Sequence, residues 1–248
     1  MWDLMADSFT AAPLPAADDP FVRLIREKGP VGPATRLLDI GCGTGGYTVR
    51  LAEGAREAVG LDISPGMVGA AAGTAAAAGA DNVKFAVADW DRLTPGDPLL
   101  AGGFDIVYAR LSPAIRSATA FEKMLGCCRG LGVLTKPTRR QDTVRRAVFA
   151  AAGAEDRSDD DDAVFYAAEL LKGLGYTPEY RYADDIWILD RPVHEVLRYH
   201  LEQLASLVSL TPALEAKAAA AVGALAEGGI VHERITSVRT TLFWRMDR

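Results

Sequence analysis

The sequence predicts an α/β fold in which helices cover both faces of a mostly parallel sheet. Short apolar segments alternate with helical segments from Leu37 to about residue 135, a pattern that is typical of doubly wound sheets. The first apolar segment leads into a glycine-rich turn, Gly41-Cys42-Gly43-Thr44-Gly45-Gly46, at the edge of the sheet where such folds bind ligands. A chain of 248 residues suits one such domain with additional elements.

The individual elements follow from apolar periodicity and from turn residues. Ser64-Pro65 marks a helix start, because serine is a good N-cap and proline is tolerated in the first turn. Strands of the main sheet are predicted at residues 37–40, 58–61, 83–87, 104–108 and 132–135. Later helices are predicted at 117–128, 141–152, 163–173, 192–208 and after Thr211, and later strands at 178–189 and 236–245.

Composition and charge narrow the functional classes. The net charge is −6 and no basic stripe stands out, so we expect no nucleic-acid partner. The three cysteines lack the spacing of a metal site or a disulfide framework, which indicates a reducing compartment and predicts no metal. No apolar run reaches the length of a membrane span, and the first residues do not resemble a signal peptide. We therefore expect a cytoplasmic protein.

The glycine-rich turn predicts a site for an adenosine-containing ligand. Glycines permit a sharp turn and a close approach, and the following helix start offers free amide groups. Asp62 follows Gly41 by 21 residues, where an acid can accept hydrogen bonds from two ribose hydroxyls. This pattern alone fits a nicotinamide dinucleotide and S-adenosylmethionine equally.

Two acidic positions favour S-adenosylmethionine. Asp39 precedes the turn at the end of an apolar strand, where a carboxylate attracts the ammonium group of methionine and repels a pyrophosphate. Asp89 and Trp90 follow the third strand. There an acid can accept from the adenine amino group and an aromatic ring can pack on the base.

The segments 37–46, 60–67, 85–90 and 104–110 together resemble the class I S-adenosylmethionine-dependent methyltransferases. The resemblance implies a Rossmann-like sheet of seven strands, mostly parallel, with a C-terminal antiparallel hairpin. It also implies a single domain over residues 1–248. In that domain, cap helices would cover 1–33, the cofactor-binding core 34–136, and substrate-side helices and the last strands 137–248.

The resemblance assigns S-adenosylmethionine as the cofactor, with S-adenosylhomocysteine as the product. The implied cofactor-binding residues are Asp39, Gly41, Cys42, Gly43, Asp62, Ile63, Met67, Asp89, Trp90 and Arg110. Gly41, Cys42 and Gly43 would line the methionine part. Ile63 and Trp90 would flank the adenine, and Arg110 would stand near the transferred methyl group.

The acceptor is expected to be a small molecule. Amino-methylating enzymes often carry an Asn/Asp-Pro-Pro-aromatic signature after the fourth strand, whereas this chain reads Ala109-Arg110-Leu111-Ser112-Pro113. Candidate substrate residues are Trp2, Phe9, Tyr47, Arg110 and Ser112, and an N-terminal helix over residues 1–10 is a candidate lid.

No catalytic base is assigned. His194 is a weak candidate, and His200 on an apolar helix face suits a core position better. Two alternatives stay open, a nicotinamide-dependent oxidoreductase and a non-catalytic module that binds the cofactor. The sequence leaves the oligomeric state open, including a homodimer.

Overall fold

The structure is a computed structural model that describes residues 13–29, 31–156 and 162–246. The predicted lid helix, with the candidate substrate residues Trp2 and Phe9, lies outside the described residues.

The elements alternate along the chain as predicted. The helices are α1 Pro20–Lys28, α2 Gly46–Ala52, α3 Pro65–Ala78, α4 Ala118–Cys127, α5 Thr143–Ala152, α6 Ala163–Gly173, α7 Val193–Ala205 and α8 Pro212–Ala224. The strands are β1 Arg36–Ile40, β2 Glu57–Asp62, β3 Val83–Val87, β4 Phe104–Arg110, β5 Cys128–Asp142, β6 Glu179–Pro192, β7 Ala226–Glu227 and β8 Ile230–Arg245. A 3₁₀ turn covers Pro98–Leu100.

The sheet confirms the predicted fold class. Its order is β3-β2-β1-β4-β5-β8-β6, and the five strands from β3 to β5 run parallel. The last strands add the antiparallel pairing predicted for the C-terminus. This path has seven strands, and the short β7, which pairs with β8, is an eighth. Because β1 lies between β2 and β4, the carboxyl ends of these three strands meet at one edge.

Apolar side chains bury both faces of the parallel sheet. On one face, Phe21 and Ile25 of α1 pack with Leu37 and Tyr108. On the other face, Ile40 and Phe104 belong to a cluster that extends to α6 and to Trp244 in β8. Burial of this kind is the main stabilising contribution to a domain of this size.

The described residues divide into two compact units. The first comprises residues 13–136, 163–181 and 241–246, and contains the parallel strands. The second comprises residues 137–156, 162 and 182–240, and has a core of its own in which Val148 and Phe149 of α5 pack with Val196 and Val222. The predicted organisation as one domain over 1–248, with its three parts, stays a prediction.

The main difference from the predicted elements concerns strand length. The strand expected at 132–135 extends over Cys128–Asp142, and the one expected at 236–245 begins at Ile230. Polar residues such as Thr138 interrupt the apolar pattern, but the hydroxyl of Thr138 donates to the carbonyl of Val238, and such cross-strand bonds continue the strands. None of the helices in the described part of the chain has the length and apolar character that crossing a membrane requires.

Candidate functional site

A cavity of about 630 Å³ opens at the carboxyl ends of β1, β2 and β4 within the first unit. Most of the predicted site residues line it: Asp39, Gly41, Cys42, Gly43, Tyr47, Asp62, Ile63, Met67, Asp89, Trp90, Arg110 and Ser112. These residues come from four separate segments of the chain. The parallel strand order brings the segments together, as the rule for ligand sites in such sheets predicts.

Asp62 holds the glycine loop, which we define as residues 41–46. Its carboxylate Oδ2 accepts a hydrogen bond from the Gly43 amide (2.9 Å), and Oδ1 accepts one from the Ser64 amide (3.0 Å). The amides of Gly41 and Cys42 both donate to the carbonyl of Leu61. The loop is therefore fixed to the end of β2, and Asp62 keeps further acceptor capacity on each oxygen.

Asp39 is a buried carboxyl group on the wall of the cavity. It is only 3% exposed, and burial raises its pKa from 3.8 to about 7. The hydroxyl of Thr48 donates to Asp39 Oδ2 (2.6 Å), and this hydrogen bond lowers the pKa of Asp39. The positive charge of Arg110 also lowers this pKa, whereas the Asp62 carboxylate raises it. A bound ammonium group would favour the ionised form of Asp39.

The raised pKa of Asp39 predicts a pH-dependent stability. Between about pH 4 and pH 7 the folded protein holds a proton on Asp39 that the unfolded chain has lost, so the free energy of unfolding falls as pH rises through this window. We expect a slope of at most about 1.4 kcal/mol per pH unit. Asp39→Asn should remove this fall. The measurement is denaturant unfolding from pH 4 to pH 8, and parallel curves for wild type and variant would contradict the prediction.

Arg110, at the end of β4, lies over an aromatic ring. Its guanidinium carbon is 4.0 Å from the centroid of Tyr47 and 5.6 Å from that of Phe21, both within cation–π range. The Tyr47 hydroxyl donates to Asp19 Oδ2 (3.2 Å), while Asp19 Oδ1 caps α1. The candidate residue Tyr47 thus connects the cavity to α1.

The segment after β3 contributes both an exposed and a buried side chain. Asp89 is partly exposed, and its Oδ1 accepts from the Asp91 amide (3.0 Å), a turn contact. Trp90 is buried, and its indole nitrogen donates to the carbonyl of Ala120. Ile63, in contrast, exposes 56% of its surface beside the cavity.

Sequence reasoning missed several residues of the cavity wall. Pro13 and Pro15 precede α1, and Arg116 pairs with Asp91 (2.7 Å). Leu111 has a left-handed backbone (φ 53°), which is uncommon for a non-glycine residue and places it beside Ser112 in the wall. Local sequence patterns carry no signal for these positions, because their place depends on contacts between distant segments.

The cysteines are protonated thiols at neutral pH. Burial, together with the nearby carboxylates of Asp39 and Asp62, raises the pKa of Cys42 far above its ordinary value. Burial also raises the pKa of Cys127, and that of Cys128 to about 12. No cysteine in the chain is therefore a ready thiolate nucleophile.

A known family matches the part of the chain that contains this cavity. The sequence model of a family described as a methyltransferase domain matches residues 32–141, the segment that supplies the strand ends and the glycine loop. These residues are therefore similar to a methyltransferase domain. The predicted recognition of the class I methyltransferases is confirmed.

Relatives and solved structures extend this finding. The chain is 40% identical over 146 residues to the 23S rRNA (uracil(1939)-C(5))-methyltransferase RlmD of Alkalilimnicola ehrlichii, which covers 59% of this chain and 28% of the relative. It is 38% identical over 73 residues to the enzyme of the same name from Xanthomonas euvesicatoria, covering 29% and 16%. The chain thus spans less than a third of the curated relatives it matches.

A solved structure resembles the whole fold. The S-adenosylmethionine-dependent methyltransferase from Geobacter sulfurreducens, in complex with S-adenosylhomocysteine, has a TM-score of 0.54 and 18% identity, covering 100% of this chain and 98% of that one. This likeness confirms the predicted fold. Together with the family match, it supports the predicted cofactor of the methyltransferase domain.

We expected a small-molecule acceptor and no nucleic-acid partner, and the exclusion of a nucleic-acid partner is wrong. The curated relatives are ribosomal RNA methyltransferases, which contradicts the exclusion of nucleic acid. The net charge of −6 sums over the chain and does not report the local charge at a site. The Pro-Pro-aromatic signature is typical of amino-methylating enzymes, whereas the named relatives methylate C(5) of a uracil, so its absence does not exclude RNA.

Proposed function

We propose that the methyltransferase domain transfers a methyl group from S-adenosylmethionine to an RNA acceptor by direct in-line displacement. One observation carries the cofactor part of this proposal. A single cavity joins the glycine loop to carboxyl groups at the carboxyl ends of β1 and β2 and just after β3, namely Asp39, Asp62 and Asp89. A nicotinamide dinucleotide would bring its pyrophosphate close to Asp39 and be repelled.

The residues present fit the cofactor. Asp62 keeps acceptor capacity for two ribose hydroxyls, and Asp39 offers a carboxylate to the methionine ammonium group. Ile63, exposed beside the cavity, and Asp89 suit the face and the amino group of an adenine. A Cβ at Gly43 would meet no atom within 4 Å, so a ligand can approach the loop backbone closely there.

When bound, S-adenosylmethionine supplies a methyl group on a sulfonium, whose leaving group is a neutral thioether. The chain then has to hold the acceptor atom in line with the methyl carbon and the sulfur, and to exclude water. These two effects can account for much of the acceleration of methyl transfer. Arg110, stacked over Tyr47 at the end of β4, is our candidate for holding the acceptor near the reacting carbon. A base is needed only if the acceptor must lose a proton.

The RNA part of the proposal is supported by the curated relatives and by the side chains at the cavity. Arginine and tyrosine are well suited to phosphates and to unstacked bases, and Arg110, Arg116 and Tyr47 line the cavity together. A ring carbon of a pyrimidine needs prior activation by a nucleophile. Cys42 is the cysteine that lines the cavity, and burial raises the pKa of its thiol. We therefore propose an acceptor nitrogen or oxygen, which needs no such nucleophile.

The test is transfer of labelled methyl from S-adenosylmethionine to total bacterial RNA. We expect acid-precipitable label that ribonuclease releases, and little label with Asp62→Ala. Asp97→Ala, which removes a carboxylate that caps the 3₁₀ turn and does not line the cavity, should transfer as the wild type does. Label in small molecules alone would overturn the RNA acceptor. Binding of S-adenosylhomocysteine without any transfer would overturn catalysis.

A further inference from the structure

The second unit contains a buried cluster of one imidazole and two carboxyl groups. Asp142 ends β5, His200 lies on α7 and Glu233 lies on β8. All three are buried, with exposures of 2%, 0% and 0%. One ligand atom from each residue lies within 4.8 Å of the other two. The cluster lies within the second unit, and none of its three residues lines the cavity described above.

Protein contacts account for only part of this polar cluster. His200 Nε2 lies 2.9 Å from Glu233 Oε1, and Arg191 donates to the other Glu233 oxygen. Asp142 Oδ1 accepts from the Arg145 amide and caps α5, while Arg140 approaches Asp142 Oδ2 as an ion pair at 3.5 Å.

Two buried polar atoms of this cluster lack a hydrogen bond. Among the described residues, His200 Nδ1 and Asp142 Oδ2 have no hydrogen-bond partner. Buried polar atoms in native proteins almost always have one, and each exception calls for an explanation. Because His200 Nε2 is the nitrogen that faces Glu233 Oε1, it is the nitrogen through which His200 would share an ion with that carboxylate.

We propose that Asp142, His200 and Glu233 bind one divalent transition-metal ion of the zinc class. Zinc binds both imidazole nitrogen and carboxylate oxygen, whereas calcium and magnesium prefer oxygen alone. Ligand atoms about 2.1 Å from one ion lie roughly 3.0–3.4 Å apart. The ligand atoms lie at most 4.8 Å apart, so binding would require the carboxyl groups to rotate toward the ion.

The proposed ion joins three elements of the second unit. It would tie the end of β5 to α7 and to β8 over the small core formed by residues such as Val148 and Val196. A ligand that binds only the folded state raises the stability of that state. The proposed ion would stabilise the second unit and takes no part in the methyl transfer proposed above.

The test is titration of chelator-treated protein with zinc chloride alone, followed by calorimetry and thermal unfolding. We expect one zinc ion per chain and a rise in Tm of about 5 °C at a hundredfold excess over Kd. Asp142→Asn should weaken binding at least tenfold, because it removes the charge yet keeps the helix cap. His200→Gln should abolish stoichiometric binding.

The matched control is His232→Gln. His232 pairs with Asp190 at 2.7 Å, but both side chains are more than half exposed, so this variant should bind zinc as the wild type does. If His200→Gln fails to fold, Asp142→Asn decides the question alone. The absence of stoichiometric binding in wild type would overturn the proposal, as would equal binding by wild type and Asp142→Asn.

Discussion

Replacement of Asp62 by alanine is expected to weaken binding of S-adenosylhomocysteine about 100-fold. Two hydrogen bonds from ribose hydroxyls to a charged acceptor contribute roughly 1.5 kcal/mol each, and 1.4 kcal/mol corresponds to a factor of ten in Kd. The variant also frees the amides of Gly43 and Ser64, which the carboxylate holds at 2.9 and 3.0 Å. The glycine loop therefore loses its attachment to β2 as well.

Calorimetry with S-adenosylhomocysteine measures this effect directly. Asp62→Asn keeps the shape and one acceptor oxygen, so its Kd should fall between those of wild type and alanine variant. Asp97→Ala removes a capping carboxylate that does not line the cavity, and should leave Kd unchanged. An unchanged Kd for Asp62→Ala would remove Asp62 from the cofactor site.

Replacement of Gly41 by alanine is expected to destabilise the protein by about 2–4 kcal/mol. Gly41 has φ +79°, a left-handed conformation that costs other residues energy. A Cβ there would lie 1.9 Å from Ser112 Oγ and 2.6 Å from its Cβ. Ser112 cannot easily move, because it is buried and its carbonyl accepts from Lys136 Nζ (3.0 Å). The shifted loop should also lose affinity for the cofactor.

A matched glycine separates backbone strain from steric overlap. Gly54 has φ +80°, but a Cβ there would meet nothing within 4 Å. Gly54→Ala should therefore cost only the strain of about 1–2 kcal/mol. The overlap at Gly41 should be relieved in part by adding Ser112→Gly, and a double-mutant cycle by urea unfolding measures this coupling. Equal losses of stability for Gly41→Ala and Gly54→Ala would show that the contact with Ser112 costs nothing.

Part of this site could be predicted from sequence because it depends on local rules and strand order. Asp39, Asp62 and the glycine loop follow apolar strands directly, and parallel pairing brings such strand ends together. Trp90 shows the limit of that reasoning. An aromatic residue after a strand suits an adenine, yet its ring is buried and its indole nitrogen bonds to Ala120, 30 residues away.

Local sequence rules could not predict the cluster of Asp142, His200 and Glu233 in the second unit. Asp142, His200 and Glu233 are separated by 58 and 33 residues, and no spacing motif connects them. The apolar face of the helix around His200 predicted an ordinary core position, and burial there is confirmed. The two carboxyl groups reach this imidazole only because the fold places α7 beside the end of β5 and beside β8.

The limits of the family match are not the limits of a folding unit. The matched segment, residues 32–141, omits Phe21 and Ile25, which cover one face of the sheet, and Trp244, which covers the other. A fragment cut at those limits would expose both faces to water and would leave Tyr47 without its bond to Asp19. The matched segment contains the ligand-facing edge of the sheet, whereas burial of both faces of the sheet needs chain from both sides of that segment.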